Sequence, residues 1–122
     1  MRVLVVDDSR AMRAILGKIL KEIGFVVSEA GHGREALEYL KHNDQIDLML
    51  VDWNMPEMDG LELVRAVRAD PAYNDIHLVM VTTESGMGEM VSALEAGANE
   101  YVMKPFTKEM ILEKLALLGI GP

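Results

Sequence analysis

Asp47-Leu48-Met49-Leu50-Val51-Asp52 is the stretch on which the fold turns. Four apolar residues follow one another without a polar break, and an aspartate stands at each end. A strand with one wet face would alternate apolar and polar residues. An unbroken run of this length suits a strand covered on both faces, the condition of a parallel sheet between two layers of helices. A strand is predicted over Asp47 to Val51.

Similar short runs lie on either side of it. Val3 to Val6 is closed by Asp7-Asp8, His77 to Val81 by Thr82-Thr83, and Tyr101 to Met103 by Lys104-Pro105. Phe25 to Ala30 completes five predicted strands. Between them the apolar period changes to that of a helix. From Ser9 to Ile23 it picks out Met12, Ile15, Leu16, Ile19, Leu20 and Ile23, all expected on one buried face, and Gly24 stands where a helix C-terminal glycine belongs. Arg34 to Lys41 reads as a second helix with Ala36, Leu37 and Leu40 inward. A third starts at Asp59, with Glu62 placed as in a capping box; it is expected to bury Leu61, Val64 and Val67 and to end before Asp70-Pro71. Met87 to Ala96 is a fourth, with Met87, Met90, Val91 and Leu94 on one face and Gly97 after it. Thr107 to Leu118 is a fifth, with Ile111, Leu115 and Leu118 in line.

Five strand–helix pairs in alternation predict a doubly wound α/β domain with a parallel sheet and right-handed crossovers. Ligands of such folds bind beyond the carboxyl ends of the strands. All five strands end on one edge, so Asp7, Asp8, Asp52, Thr82 and Lys104 are expected to share one rim. Each has an ordinary reading alone: Asp8 as a helix cap, Asp52 as a turn residue, Thr82 as a strand end, Lys104 as a solvated charge. All five falling at strand ends together is better explained by chemistry. Converging carboxylates repel and call for a cation, and an all-oxygen site without His or Cys suits Mg²⁺. An aspartate can then accept a phosphoryl group, with Lys and Thr steadying its oxygens.

Composition sets the limits. The chain has 122 residues, half of them hydrophobic, no cysteine, and 12 basic against 20 acidic residues for a net charge of −8. It is expected to form one domain over residues 1–122, with no disulfide and no thiolate chemistry. The acidic balance argues against a nucleic-acid partner. No apolar run approaches the ~20 residues that span a bilayer, and the N-terminus is acidic too soon for a signal peptide, so a cytoplasmic protein without membrane insertion is expected. His32, His42 and His77 lack metal-ligand spacing and read as surface residues. The ten Met residues read mostly as core, with Met55 and Met58 as the expected exceptions. Gly86 and Gly88 weaken the start of the fourth helix, which could loosen a switch segment or carry no function.

The strand ending in Asp7-Asp8, Asp52 with Met55-Pro56-Glu57-Met58-Asp59-Gly60, Thr82, and Lys104-Pro105 together resemble the receiver domains of bacterial two-component response regulators. The resemblance covers about Arg2 to Leu118. It implies the flavodoxin-like strand order 2-1-3-4-5, with Asp52 as phosphoacceptor and Asp7 and Asp8 as the Mg²⁺-binding pair. It implies a backbone carbonyl of Asn54 on the metal, Lys104 on the phosphoryl group, and Thr82 and Tyr101 as the switch pair. A cis Lys104-Pro105 bond is also implied. Such a domain catalyses its own phosphoryl transfer and autodephosphorylation rather than acting as a conventional enzyme. Its phosphodonor is a sensor histidine kinase or a small phosphodonor, and a monomer is expected. Trp53, Asn54 and Glu84 look like those of stand-alone chemotaxis regulators, whose output partner is a flagellar motor switch component. A chain ending at Pro122 leaves no room for an output domain; a receiver of another pathway, or one cut from a longer protein, is the alternative.

Three other classes fit less well. An aspartate-nucleophile phosphatase uses a second Asp two residues beyond the first, where this chain has Asn54. A flavin carrier needs a phosphate loop after strand one, where Asp7 and Asp8 would repel the phosphate. A receiver-like module that is never phosphorylated would have no use for the intact acidic set.

Overall fold

The computed structural model describes residues 1–42, 45–55, 58–83 and 87–120, with Met87 and Glu89 as backbone only. Strands β1 (Arg2–Val6), β2 (Val26–Ala30), β3 (Leu48–Asp52), β4 (His77–Thr82) and β5 (Glu100–Met103) alternate with helices α1 (Arg10–Ile23), α2 (Gly33–His42), α3 (Gly60–Arg68), α4 (Met87–Ala96) and α5 (Lys108–Leu117). One sheet holds all five strands in the order β2-β1-β3-β4-β5, every neighbouring pair parallel. A single 3-10 turn over Pro71–Tyr73 precedes β4; the periodicity gave no sign of it.

β3 lies in the middle and is buried along its whole length, as its apolar run requires. Period-two alternation divides its side chains between two cores. Met49 and Val51 join Leu4, Val6, Met80 and residues of α2, α3 and α4; Leu48 and Leu50 join Val3, Val5, Val79 and residues of α1 and α5. Three helix starts are capped as their sequences demand. Ser9 accepts from the Met12 N–H, Thr107 accepts from the Met110 N–H, and Asp59 with Glu62 closes a full capping box. Gly24 takes the left-handed conformation that ends α1.

The structure corrects several facing assignments. Ile15 is 50% exposed, because the buried stripe of α1 runs through Leu16, Leu20 and Ile23 and leaves Ile15 to one side. In α3 Leu63, not Leu61, joins Val64 and Val67 in the core. The stripe is centred on Gly60, whose absent side chain lets α3 start against Asp52: a Cβ there would stand 2.5 Å from the Asp52 carbonyl oxygen and 2.7 Å from Met80. On α4, Val91 and Leu94 are each 45% exposed while Ala93 is buried. The helix buries Ala93 and turns Val91 and Leu94 outward, with Met90 half-buried. The Met87 side chain, expected on that same face, lies outside the described residues, as do Pro56, Glu57, Glu84 and Gly86. Met55 and Met58 are not exceptions to core packing: both are partly buried against the first core, and Met58 covers Gly33. Of the histidines, His42 is exposed; His32, also partly exposed, accepts from the Glu35 N–H at the start of α2, and His77 is half-buried.

Candidate functional site

β1 and β3 end side by side at the carboxyl edge of the sheet, which brings Asp7, Asp8 and Asp52 together. One carboxylate oxygen from each lies within 4.8 Å of the others. Their environments differ. Asp7 is buried: its Oδ1 accepts from the Ser9 N–H at 2.9 Å, and its backbone carbonyl accepts from Arg13 Nη1 at 2.6 Å. Its Oδ2 has no hydrogen-bond partner, the only buried side-chain polar atom so placed among the described residues. Asp8 is exposed, and Ser9 takes the cap of α1, so the cap reading of Asp8 falls away. Asp52 is 6% exposed.

Lys104 reaches this group from the end of β5. Its backbone N–H donates to the Thr82 carbonyl at 2.8 Å, the Lys104-Pro105 bond is cis, and its Nζ stands 3.2 Å from Asp52 Oδ1 and 3.6 Å from Asp7 Oδ2. One ammonium thus pairs with two buried carboxylates, and a third, Asp8, stands beside them. Burial, and then the charge of Asp7, push the Asp52 carboxyl above its ordinary range; Lys104 and the Asn54 backbone N–H oppose that without cancelling it. The site is short of positive charge, and the donors that remain are all oxygens. A hard divalent cation fits both facts, and Asp7 Oδ2, buried without a hydrogen bond and held only by the Lys104 ion pair, is an oxygen free to ligate it.

Thr82, the last residue of β4, is buried. Tyr101 pairs with Met80 across β4 and β5, so Met80, Thr82 and Tyr101 share the sheet face that carries α2, α3 and α4. A path of two strands leads from the acidic rim to the outer edge of the sheet.

A family model for the response regulator receiver domain matches residues 3–116. The chain belongs to the receiver domain family. It is 50% identical to a chemotaxis protein CheY homolog of Campylobacter jejuni, over 99% of this chain and 95% of that protein. It is 48% identical to chemotaxis protein CheY1 of Helicobacter pylori, over 97% and 96%. Among solved structures, the receiver superimposes on chemotaxis protein CheY4 of Vibrio cholerae with a TM-score of 0.88 at 34% identity, covering 98% of this chain and 97% of that one. As a receiver with relatives of this likeness, the protein is a phosphorylation-activated signalling switch in chemotaxis.

The rim residues expected from the sequence, Asp7, Asp8, Asp52 and Lys104, meet in this receiver. Asn54 is exposed beside them with its N–H turned to Asp52. Sequence reasoning missed Arg13, which holds the Asp7 carbonyl and pairs with Glu29 at 3.0 Å. Its place four residues after the Ser9 cap was the available signal: one helical turn on, a long side chain can fold back to the strand end.

Proposed function

We propose that Asp52 is the phosphoacceptor and that a phosphohistidine of a sensor histidine kinase is its donor. One Asp52 carboxylate oxygen attacks phosphorus. The P–N bond breaks, its electron pair stays on the imidazole nitrogen, which is then protonated, and a P–O bond forms. Attack of water on the same phosphorus later returns the carboxylate and inorganic phosphate. Lys104 pairs with the phosphoryl oxygens and gives up part of its contact with Asp52 to do so. Asp7, Asp8, Asp52 and the backbone carbonyl of Asn54 would hold Mg²⁺, which supplies charge neutralisation when bound. The observation that carries this reading is a buried strand-end carboxylate beside two others and one ammonium.

Thr82 then moves toward the new phosphoryl oxygens and Tyr101 turns inward, which reshapes the surface of α4, β5 and α5. The outward Val91 and Leu94 give that surface an apolar patch for an output partner, a flagellar motor switch component. We take the unit to be a monomeric cytoplasmic receiver spanning residues 1–122. Two facts agree with this: the net charge of −8, and, among the described residues, no helix long and apolar enough to cross a membrane.

Incubation with acetyl phosphate and Mg²⁺, followed by intact mass, tests the assignment. Wild type gains one phosphoryl group; Asp52→Asn gains none at that position, because an amide is a poor nucleophile. Equal labelling of the mutant, mapped away from residue 52, would falsify it.

A further inference from the structure

Lys114 lies outside the phosphorylation chemistry, yet it stands over the Tyr101 ring. Its Nζ sits 4.5 Å from the centroid of the Tyr101 ring. The same ammonium is 3.5 Å from Glu100 Oε1, and that oxygen also accepts from the Tyr101 backbone N–H at 3.1 Å. The contacts therefore close a loop: the Tyr101 amide to the Glu100 carboxylate, the carboxylate to the Lys114 ammonium, the ammonium to the Tyr101 ring.

The position of this loop in the sheet gives it meaning. β5 is an edge strand, and consecutive side chains point to opposite faces. Tyr101 packs on the core under α2, α3 and α4, whereas its neighbour Val102 and helix α5 belong to the other core. Lys114 thus reaches around the free edge of the sheet from the α5 side to a ring on the α4 side. Its side chain is 28% exposed and that of Glu100 18%, so the pair is better shielded than most surface pairs. An opening of about 260 Å³, lined by Tyr101, Met103, Met110, Glu113 and Lys114, adjoins the ring.

We propose that Glu100 and Lys114 are positioning residues of the switch: together they form a charge-held latch that fixes the resting place of the Tyr101 ring and so sets how readily phosphorylation moves it. The inference rests on the reading of Tyr101 as a switch residue. A cation over a partly exposed ring shifts a rotamer balance about two- to fivefold. The latch weakens at high salt, because the Glu100–Lys114 pair that orients the ammonium is screened. The sequence alone carried no sign of it, since Glu100 and Lys114 are fourteen residues apart and meet only once α5 packs against β5.

The test uses the full chain with ¹³C-labelled tyrosine, read by NMR during a titration with beryllofluoride and Mg²⁺. Glu100→Gln keeps an oxygen for the Tyr101 amide and removes the charge that holds Lys114. Lys114→Met keeps the packed stem and removes the ammonium, and Lys114→Arg restores a cation. The expected result is a resting Tyr101 population displaced about two- to fivefold in Glu100→Gln and Lys114→Met, near wild type in Lys114→Arg, and displaced in wild type by 1 M salt. Labelling of Asp52 by acetyl phosphate should be unchanged in all three. If wild-type Tyr101 responds to beryllofluoride and both charge-removing variants match it before and during the titration, the latch is overturned and the switch reading stands. If wild-type Tyr101 does not respond at all, the switch reading is what fails.

Discussion

Asp52 and Arg68 stand at opposite edges of the same sheet, and both are charged groups drawn into the fold. At the carboxyl edge, Asp52 lies among like charges. It is buried beside Asp7 and Asp8, shares one ammonium, and has its carboxyl pushed up; Asp7 Oδ2 accepts no hydrogen bond and has only the Lys104 ammonium at 3.6 Å. At the amino edge, Arg68 is served by its surroundings. Its Nε donates to the Gly97 carbonyl, its Nη1 to those of Tyr73 and Asn74, and its Nη2 to that of Ile76 and to Asn99 Oδ1. Asn99 Oδ1 also accepts from the Leu78 N–H, so the amino ends of β4 and β5 are tied through one guanidinium. Burial lowers the Arg68 pKa from its ordinary value, but its donors are used. One edge stores repulsion that a bound cation or phosphoryl chemistry can relieve. The other fixes the C-terminal end of α4 through Gly97.

Four outcomes would sharpen or break that contrast. The largest is at the satisfied edge. Arg68→Ala removes a donor from five acceptors at once and should cost roughly 2–4 kcal/mol in urea unfolding. A loss below about 1 kcal/mol would mean that water replaces the guanidinium without penalty and that this edge is no anchor.

The second is at the repulsive edge. Mg²⁺ bound only by the native state should stabilise by about 2.7 kcal/mol at a hundred times its Kd, with Asp8→Ala blunting the gain. Trp53, next to Asp52, should report the same titration by fluorescence. Flat melting and flat fluorescence up to tens of millimolar, on the order of the weakest sites, would remove the cation from the account.

The third is smaller and runs against the usual cost of mutating a buried group. In metal-free buffer Asp52→Asn should stabilise by on the order of 1 kcal/mol, since one of the crowded charges is gone. The pH dependence has a definite sign. The folded carboxyl holds its proton to a higher pH than the unfolded one, so the favourable contribution is full below the ordinary aspartate pKa. It is lost as pH rises through the raised value. Wild type should lose stability over that window relative to Asp52→Asn. Parallel pH profiles would show that Lys104 already compensates the site.

The smallest effect on stability is expected away from both edges. Val91→Ser and Leu94→Ser should change it by no more than about 0.5 kcal/mol, because both side chains are half exposed, while weakening capture of the output partner. A large loss of stability would show that they serve the fold rather than a surface.

Much of this was legible in the residues. The unbroken run at β3 announced a doubly covered strand, and parallel strands must place Asp7, Asp8, Asp52, Thr82 and Lys104 on one edge, because every strand points the same way. The strand order came with the family resemblance, and the structure bears it out. Helix facing was harder to read. A helical period says which residues share a face, not which face meets the sheet. Ile15, Leu61, Val91 and Leu94 all obey the period, yet packing turns them from the core; at α3 the close approach that Gly60 allows sets which face is inward.

The sequence by itself determined the order of elements and the set of groups brought to the rim, since both follow from local periodicity and strand direction. Tertiary structure alone decided the depth of each carboxylate, the sharing of Lys104, the cap on Ser9 instead of Asp8, and the two cationic ties at Arg68 and Lys114. The reason is physical. Most of Arg68's acceptors are backbone carbonyls, which every residue carries, and Lys114 finds Glu100 and Tyr101 only once α5 is packed on the edge of a completed sheet. Such contacts leave no mark in composition or period and exist only once distant segments are packed.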